Sequence, residues 1–212
     1  MIKENTFSGD QAPVVMTIGH STRSIAEFIH LLQIHGAKCV VDVRTVPRSR
    51  YNPQFNKSSL PGSLKKAGFR YVHAEGLGGL RHAKRDSSNL GWRNTSFRGY
   101  ADYMQTPEFA KSLKAVIDLA NQEPIVLMCA EALPWRCHRS LIADALLVHG
   151  IRTENIVSAA RRQVHKLTPF AKVRGVTITY PKDLVARRDG GRQLPVRFHR
   201  EEVTTLSRRR GQ

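Results

Sequence analysis

One segment of the chain concentrates side chains that can do chemistry. It reads CAEALPWRCHR (129–139) and supplies two thiols, a carboxylate, an imidazole and two guanidinium groups just before a helical pattern. The positive end of a helix favours bound anions, and nearby cationic groups favour the thiolate form of cysteine. We therefore predict three catalytic residues here, Cys129, Glu131 and His138, and three substrate-binding residues, Arg136, Cys137 and Arg139.

Two other stretches place polar residues directly after apolar runs. His20 and Ser21 follow the first run, whereas Asp42 and Arg44 lie at the end of the second, 39–43. Asp42 and Arg44 are two residues apart, so in an extended chain they face the same side and can pair or orient a ligand. We predict His20 and Asp42 as catalytic residues and Ser21 and Arg44 as substrate-binding residues. A buried ion pair between Asp42 and Arg44 is the structural alternative.

The spacing of these residues argues against several familiar sites. Cysteine and histidine can bind zinc, but adjacent residues such as Cys137 and His138 rarely point at one ion, so we assign no metal. Arg136 and Arg139 lie too far from Cys129 for the loop of a thiol phosphatase or sulfurtransferase. The glycines of EGLGG (75–79) lack the strand and helix of a dinucleotide fingerprint. The sequence indicates no cofactor.

Strand-like and helical patterns alternate along the chain and must position these residues. Apolar strand patterns occupy residues 14–18, 39–43, 69–73 and 124–129, and helical patterns fall between and after them at 24–36, 60–67, 100–121 and 140–149. We expect Ser24 and Thr106 to cap helices. This alternation predicts an α/β fold with a single doubly wound, mainly parallel sheet flanked by helices. Ligands bind at the carboxyl ends of such strands, so the predicted site residues should be neighbours.

Charge and composition divide the chain into three parts. We predict a polar arm over residues 1–13, the α/β domain over 14–182 with a further strand at 173–180, and a basic, flexible appendage over 183–212. The 212 residues carry 34 Lys and Arg against 17 Asp and Glu, a net charge of +17. More than half of this excess lies in residues 151–212. Such a charge attracts polyanions, although a solvated basic surface that aids solubility would look the same.

The expected location is the cytoplasm. Residues 1–15 contain no apolar run typical of a secretory signal, and no stretch approaches the roughly 18 apolar residues that a membrane-spanning helix needs. Three cysteines, Cys39, Cys129 and Cys137, are too few for a secreted disulfide framework, so we expect reduced thiols and no membrane partner.

The chain resembles the Domain of Unknown Function 488 family. The resemblance rests on TIGHS (17–21), DVRTVPRS (42–49), the glycine loop at 77–79, FRGYADYMQTPEF (97–109), LMCAEALPWRCHRSLIA (127–143), HKLTPFAKV (165–173) and TYP (179–181). It implies a cytoplasmic bacterial or archaeal α/β domain without an established general activity. It also implies that six of the residues above occupy family-motif positions: His20, Asp42, Arg44, Cys137, His138 and Arg139.

Three functions are compatible with these residues. The first is an enzyme, a hydrolase or transferase, that acts on an anionic substrate such as a nucleotide or nucleic acid. In it Arg44, Arg136 and Arg139 would hold phosphate, and His20 or His138 would act as general acid or base. Asp42 would orient one of these side chains. The alternatives are a nucleic-acid-binding protein without catalysis and a thiol-based redox or sulfur-transfer protein that uses Cys129 and Cys137.

Overall fold

A six-stranded sheet forms the centre of the part of the chain that the structure describes. A computed structural model describes residues 13–182 of the chain. The strands are β1 (Val14–Gly19), β2 (Cys39–Asp42), β3 (Arg70–His73), β4 (Ile125–Cys129), β5 (Arg152–Ser158) and β6 (Arg161–Val164). Their order across the sheet is β3-β2-β4-β1-β5-β6. The first five are parallel, and β6 pairs antiparallel with β5.

Within residues 13–182, five α-helices connect the strands. They are α1 (Ile25–Ile34), α2 (Leu60–Lys66), α3 (Thr95–Tyr103), α4 (Pro107–Ala120) and α5 (Arg139–Val148). The expected caps are present, since Ser24 accepts a hydrogen bond from the Glu27 amide and Thr106 accepts one from the Phe109 amide. Each cap satisfies an amide that the first turn of a helix leaves without a partner.

The core lies on both faces of the sheet, which confirms the α/β fold. Alternate residues of β4 point to opposite sides: Leu127 belongs to one apolar cluster and Val126 to the other. The cluster around Leu127 contains residues of α3, α4 and α5, whereas the cluster around Val126 contains residues of α1 and α2. A strand that is covered on both faces carries a continuous apolar run, which explains the sequence of β4.

This topology creates a crevice between β1 and β4. The two strands are neighbours, but the chain leaves β1 toward α1 on one face and leaves β4 toward α5 on the other. Connections that diverge in this way open a space above the carboxyl ends of adjacent strands. The segments following His20 and Cys129 therefore border this space.

The carboxyl-terminal third differs most from the sequence prediction. The strands β5 and β6 were not predicted, because Thr153, Glu154 and Asn155 give β5 a polar pattern although all three are buried. The single strand predicted at 173–180 is wrong: the chain forms a hairpin of β7 (Lys172–Arg174) and β8 (Thr177–Thr179). The turn contains Gly175 at a φ of 58°, a conformation that glycine adopts without strain.

The predicted basic appendage, 183–212, and the polar arm up to residue 12 lie outside the described residues. Over residues 13–182, none of the helices has the length and apolar character needed to cross a membrane.

Candidate active site

A cavity of about 730 Å³ opens at the carboxyl ends of β1, β2 and β4. Its walls come from the segments after these strands, from the glycine loop near residue 79 and from the start of α3. Of the ten predicted site residues, eight line it: His20, Ser21, Arg44, Cys129, Glu131, Arg136, Cys137 and His138. The other two, Asp42 and Arg139, are buried behind its walls.

Cys129, Cys137 and His138 form a compact group at the inner wall of this cavity. Their two Sγ atoms and one imidazole nitrogen all lie within 4.8 Å of one another, and Cys137 Sγ is 3.8 Å from His138 Nδ1. The other ring nitrogen, Nε2, donates a hydrogen bond of 2.9 Å to the Val43 carbonyl. In the neutral ring the proton is therefore on Nε2, and Nδ1 keeps its lone pair on the side of the thiols.

The two thiols of this group differ in acidity. A hydrogen bond from Cys137 lowers the pKa of Cys129 well below its usual range, burial opposes this effect, and His138 and Arg139 add to the lowering. The same hydrogen bond and burial raise the pKa of Cys137. These opposite shifts make Cys129 the more acidic thiol of the pair. Burial raises the pKa of the remote Cys39 to about 11, so that thiol stays protonated.

His20, Arg44 and Asp42 form a connected buried set. Arg44 Nε and Nη2 donate to the two carboxylate oxygens of Asp42 at 2.8 and 2.6 Å, and Nη2 also donates to the Phe55 carbonyl. Arg44 Nη1 lies 3.1 Å from His20 Nε2, and His20 Nδ1 donates to the Ser21 carbonyl. Burial, with the charge of Arg44, lowers the pKa of His20 and keeps its ring neutral.

The contacts within this set bear on the roles predicted for His20, Asp42 and Arg44. The predicted pairing of Asp42 with Arg44 is present, and it neutralises the guanidinium and occupies most of its N–H groups. Both nitrogens of His20 already have partners, and its ring stacks on Phe55 at 4.1 Å. The arrangement does not favour His20 as a general acid or base or Arg44 as a phosphate ligand. It suits them better as supports for the cavity wall.

Arg139 supports the segment that carries Glu131. Its side chain is only 1% exposed, and it donates hydrogen bonds to the carbonyls of Glu131 and Ala132. A guanidinium used in this way holds the segment in place, and it does not face the cavity. These contacts favour a supporting role for Arg139, and its predicted phosphate binding stays a prediction. Arg136, by contrast, lines the cavity and is exposed.

Two glycines allow this packing. The segment after β4 crosses Gly19 so closely that a Cβ there would lie 1.9 Å from the Glu131 carbonyl oxygen. A Cβ at Gly79 would lie 2.5 Å from His138 Nδ1 and 2.8 and 2.9 Å from the adjacent ring carbons. These nearly equal distances place Gly79 over the face of the imidazole, so it leaves the lone pair of Nδ1 unobstructed.

Comparison with known families agrees with these motifs. A family model described as Domain of unknown function DUF488 matches residues 24–146, which is more than half of the chain. The chain belongs to the DUF488 family. The match includes the CAEALPWRCHR segment, whereas TIGHS and the motifs beyond residue 164 lie outside it. The comparisons with curated proteins and with solved structures find no match.

The cavity of this DUF488 protein also contains residues that the sequence interpretation did not assign. They are Thr22, Thr45, Val46, Arg48, Ser49, Asn52, Gly79, Leu80, Ser96, Phe97, Ala130 and Ala132. Arg48 adds an exposed guanidinium to the wall, and it lies in the DVRTVPRS motif. Its position in the loop after β2 was a usable signal, because loops at that edge of a parallel sheet bind ligands. Ser96 and Phe97 gave no comparable signal.

Proposed function

We propose that this DUF488 protein is an enzyme, a hydrolase or transferase, that acts on an anionic substrate such as a nucleotide or a nucleic-acid end. One observation carries the proposal: thiol, imidazole and carboxylate groups line the same cavity as two exposed arginines. The cavity volume of about 730 Å³ lies within the range typical of small-molecule sites. If the arginines bind a charged group of the substrate, they hold the rest of the substrate next to these reactive side chains.

Arg136 and Arg48 are the anion-binding residues in this proposal. Both are exposed in the cavity wall, whereas Arg44 is neutralised by Asp42 and Arg139 is used by backbone carbonyls. A planar guanidinium can bind two phosphate oxygens at once, so it orients a phosphate as well as attracting it. This assignment replaces Arg44 and Arg139 with Arg48 and keeps Arg136.

The reacting group of the substrate would lie deeper in the cavity than its phosphate, next to Cys129, Glu131 and His138. All three line the cavity, and the loop that carries Glu131 is fixed from behind by Arg139. His20, Arg44 and Asp42 are positioning residues that shape the wall around them. A rigid wall of this kind places a bound substrate in one orientation, which is a large part of what catalysis needs.

Binding and turnover measurements test the proposal. We expect the full chain to bind a nucleoside monophosphate and a short single-stranded oligonucleotide, and mass spectrometry to detect a product. Arg136→Ala and Arg48→Ala should each weaken binding about tenfold, the equivalent of roughly 1.4 kcal/mol. Arg161→Ala is the matched control, since Arg161 is an exposed arginine on β6 outside the cavity. If the double variant Arg136→Ala/Arg48→Ala bound the nucleotide as tightly as the wild type, the anion site would be refuted.

The two alternatives remain predictions with different outcomes. A nucleic-acid-binding protein without catalysis would bind the oligonucleotide and give no product under any condition. A thiol-based redox or sulfur-transfer protein is favoured by the proximity of the Cys129 and Cys137 sulfur atoms. It would need both thiols and would tolerate loss of Arg136 and Arg48.

A further inference from the structure

We propose that Cys129, Cys137 and His138 form a binding site for one thiophilic divalent cation, with Zn²⁺ as the reference ion. The inference goes beyond the proposed function, because metal binding can be measured whether or not the cavity supports turnover. Two sulfur ligands and one imidazole suit zinc, and three protein ligands leave a fourth position for water or substrate. That fourth position would face the cavity, which all three residues line.

The separations of the three donor atoms suit one ion. The two sulfurs and the imidazole nitrogen lie within 4.8 Å of one another, and Cys137 Sγ and His138 Nδ1 are 3.8 Å apart. With zinc bonds of about 2.3 Å to sulfur and about 2.0 Å to nitrogen, tetrahedral ligands lie roughly 3.5 to 3.8 Å from one another. Small side-chain rotations therefore bring the group to ligand distances.

The hydrogen bond of His138 is a second, independent observation. Histidine ligands of metals usually donate their other ring N–H to a carboxylate or a backbone carbonyl, which fixes both the tautomer and the orientation of the ring. His138 Nε2 donates to the Val43 carbonyl at 2.9 Å and leaves Nδ1 directed toward the thiols. Gly79 covers the ring face and leaves this nitrogen open.

The backbone explains how adjacent residues can share one ion. Side chains of successive residues diverge in an extended segment, which is why the sequence argued against a metal. Cys137 is extended, with φ and ψ of −127° and 141°, but His138 already has helical angles of −57° and −20°. The turn into α5 between them brings both side chains to the same side.

Metal binding to the full chain tests this site. We expect metal-free, reduced protein to bind one Co²⁺ per chain, with thiolate-to-cobalt absorption and the visible bands of tetrahedral cobalt, and Zn²⁺ to displace it. Cys129→Ser, Cys137→Ser and His138→Ala should each abolish these bands. Cys39→Ser is the matched control, because Cys39 is a buried cysteine on β2 outside the group.

A second measurement on the wild type guards against variants that fold poorly. Bound Zn²⁺ should protect Cys129 from iodoacetamide, and removing the ion with a chelator should restore labelling. The proposal is overturned if folded wild type binds no stoichiometric Co²⁺, or if the double variant Cys129→Ser/Cys137→Ser keeps the cobalt bands. Nucleotide binding through Arg136 is measured separately. Failure of the metal site would therefore leave the proposed function standing, and failure of nucleotide binding would leave the metal site standing.

Discussion

Two arginines of one segment, Arg136 and Arg139, carry the same charge but have different surroundings. Arg139 is buried and donates to two backbone carbonyls, whereas Arg136 is exposed in the cavity wall. A lysine at either position keeps the charge but loses the planar set of donors. Substitution by lysine therefore separates support of the segment from contact with a ligand.

We expect Arg139→Lys to lower thermal stability and to leave nucleotide affinity per folded molecule nearly unchanged. Losing charge-assisted hydrogen bonds to buried carbonyls costs about 1.5 to 3 kcal/mol. Arg136→Lys should show the opposite pattern, with weaker binding and an unchanged Tm. The measurements are melting temperature and calorimetric affinity on the same samples. If Arg139→Lys lost affinity at an unchanged Tm, Arg139 would be a ligand-binding residue after all.

The three cysteines should differ in their rate of alkylation. Cys129 lines the cavity, whereas Cys39 is fully buried and its pKa is raised to about 11. Because thiolate is the reactive form and must be reachable, iodoacetamide at neutral pH should label Cys129 much faster than Cys39. Peptide mass spectrometry after brief treatment measures both sites in one sample. Equal, slow labelling would remove the thiol-based alternative.

At the scale of elements, the crossing of β1 and the segment after β4 depends on Gly19. A Cβ there would overlap the Glu131 carbonyl, so Gly19→Ala must displace backbone. We expect a loss of about 1 to 3 kcal/mol of unfolding free energy, as overpacking typically costs, together with weaker nucleotide binding. Gly62→Ala on α2 is the control, because nothing lies within 4 Å of its added Cβ. It should keep or slightly raise stability, and urea unfolding compares the two.

Asp144 connects α5 to the segment that follows β6. It is fully buried and accepts hydrogen bonds from His165 Nε2, from the amide and hydroxyl of Thr168, and from the Tyr180 hydroxyl. Asp144→Ala leaves these donors without a partner and should cost about 3 to 5 kcal/mol, as when one partner of a buried pair is removed. Tyr180→Phe removes one donor and should cost about 1 kcal/mol. Equal effects in urea unfolding would show that the carboxylate does not organise this segment.

The sequence predicted elements whose local pattern agrees with their packing. Strand β4 is apolar on both faces, and Ser24 and Thr106 cap their helices, so these features were visible without a structure. Strand β5 was missed because its buried polar residues depend on partners far along the chain, such as Asn155 with the Thr17 hydroxyl.

The position of the candidate site at the edge of the sheet was predictable from the sequence, but the contacts of its arginines were not. Residues that follow parallel strands lie at the same edge of the sheet, and the segments after β1, β2 and β4 line one cavity there. The fold of the segment after β4 decides whether an arginine side chain faces the cavity or donates hydrogen bonds to backbone carbonyls. The spacing of residues in the sequence does not predict that fold. Arg44 and Arg139 were therefore predicted as ligand-binding residues although the structure uses their N–H groups internally.

At the scale of the whole molecule, the net charge of +17 predicts attraction to polyanions beyond the cavity. Residues 183–212 carry eight arginines: Arg187, Arg188, Arg192, Arg197, Arg200, Arg208, Arg209 and Arg210. If these contact phosphates, their removal should weaken binding of unrelated oligonucleotides by a similar factor, since phosphate contacts carry no base information.

Salt dependence can separate this contribution from that of the cavity. The logarithm of duplex affinity falls with the logarithm of salt concentration by about 0.9 for each phosphate contact. Deleting residues 183–212 should therefore reduce the slope by several units, whereas Arg136→Ala should reduce it by about one. A full-length chain with the eight arginines replaced by glutamine keeps the length, and it should behave like the truncated chain if charge is the cause. An unchanged slope after truncation would show that the excess charge of this segment does not act on nucleic acid, and any binding would then depend on the basic residues of 1–182.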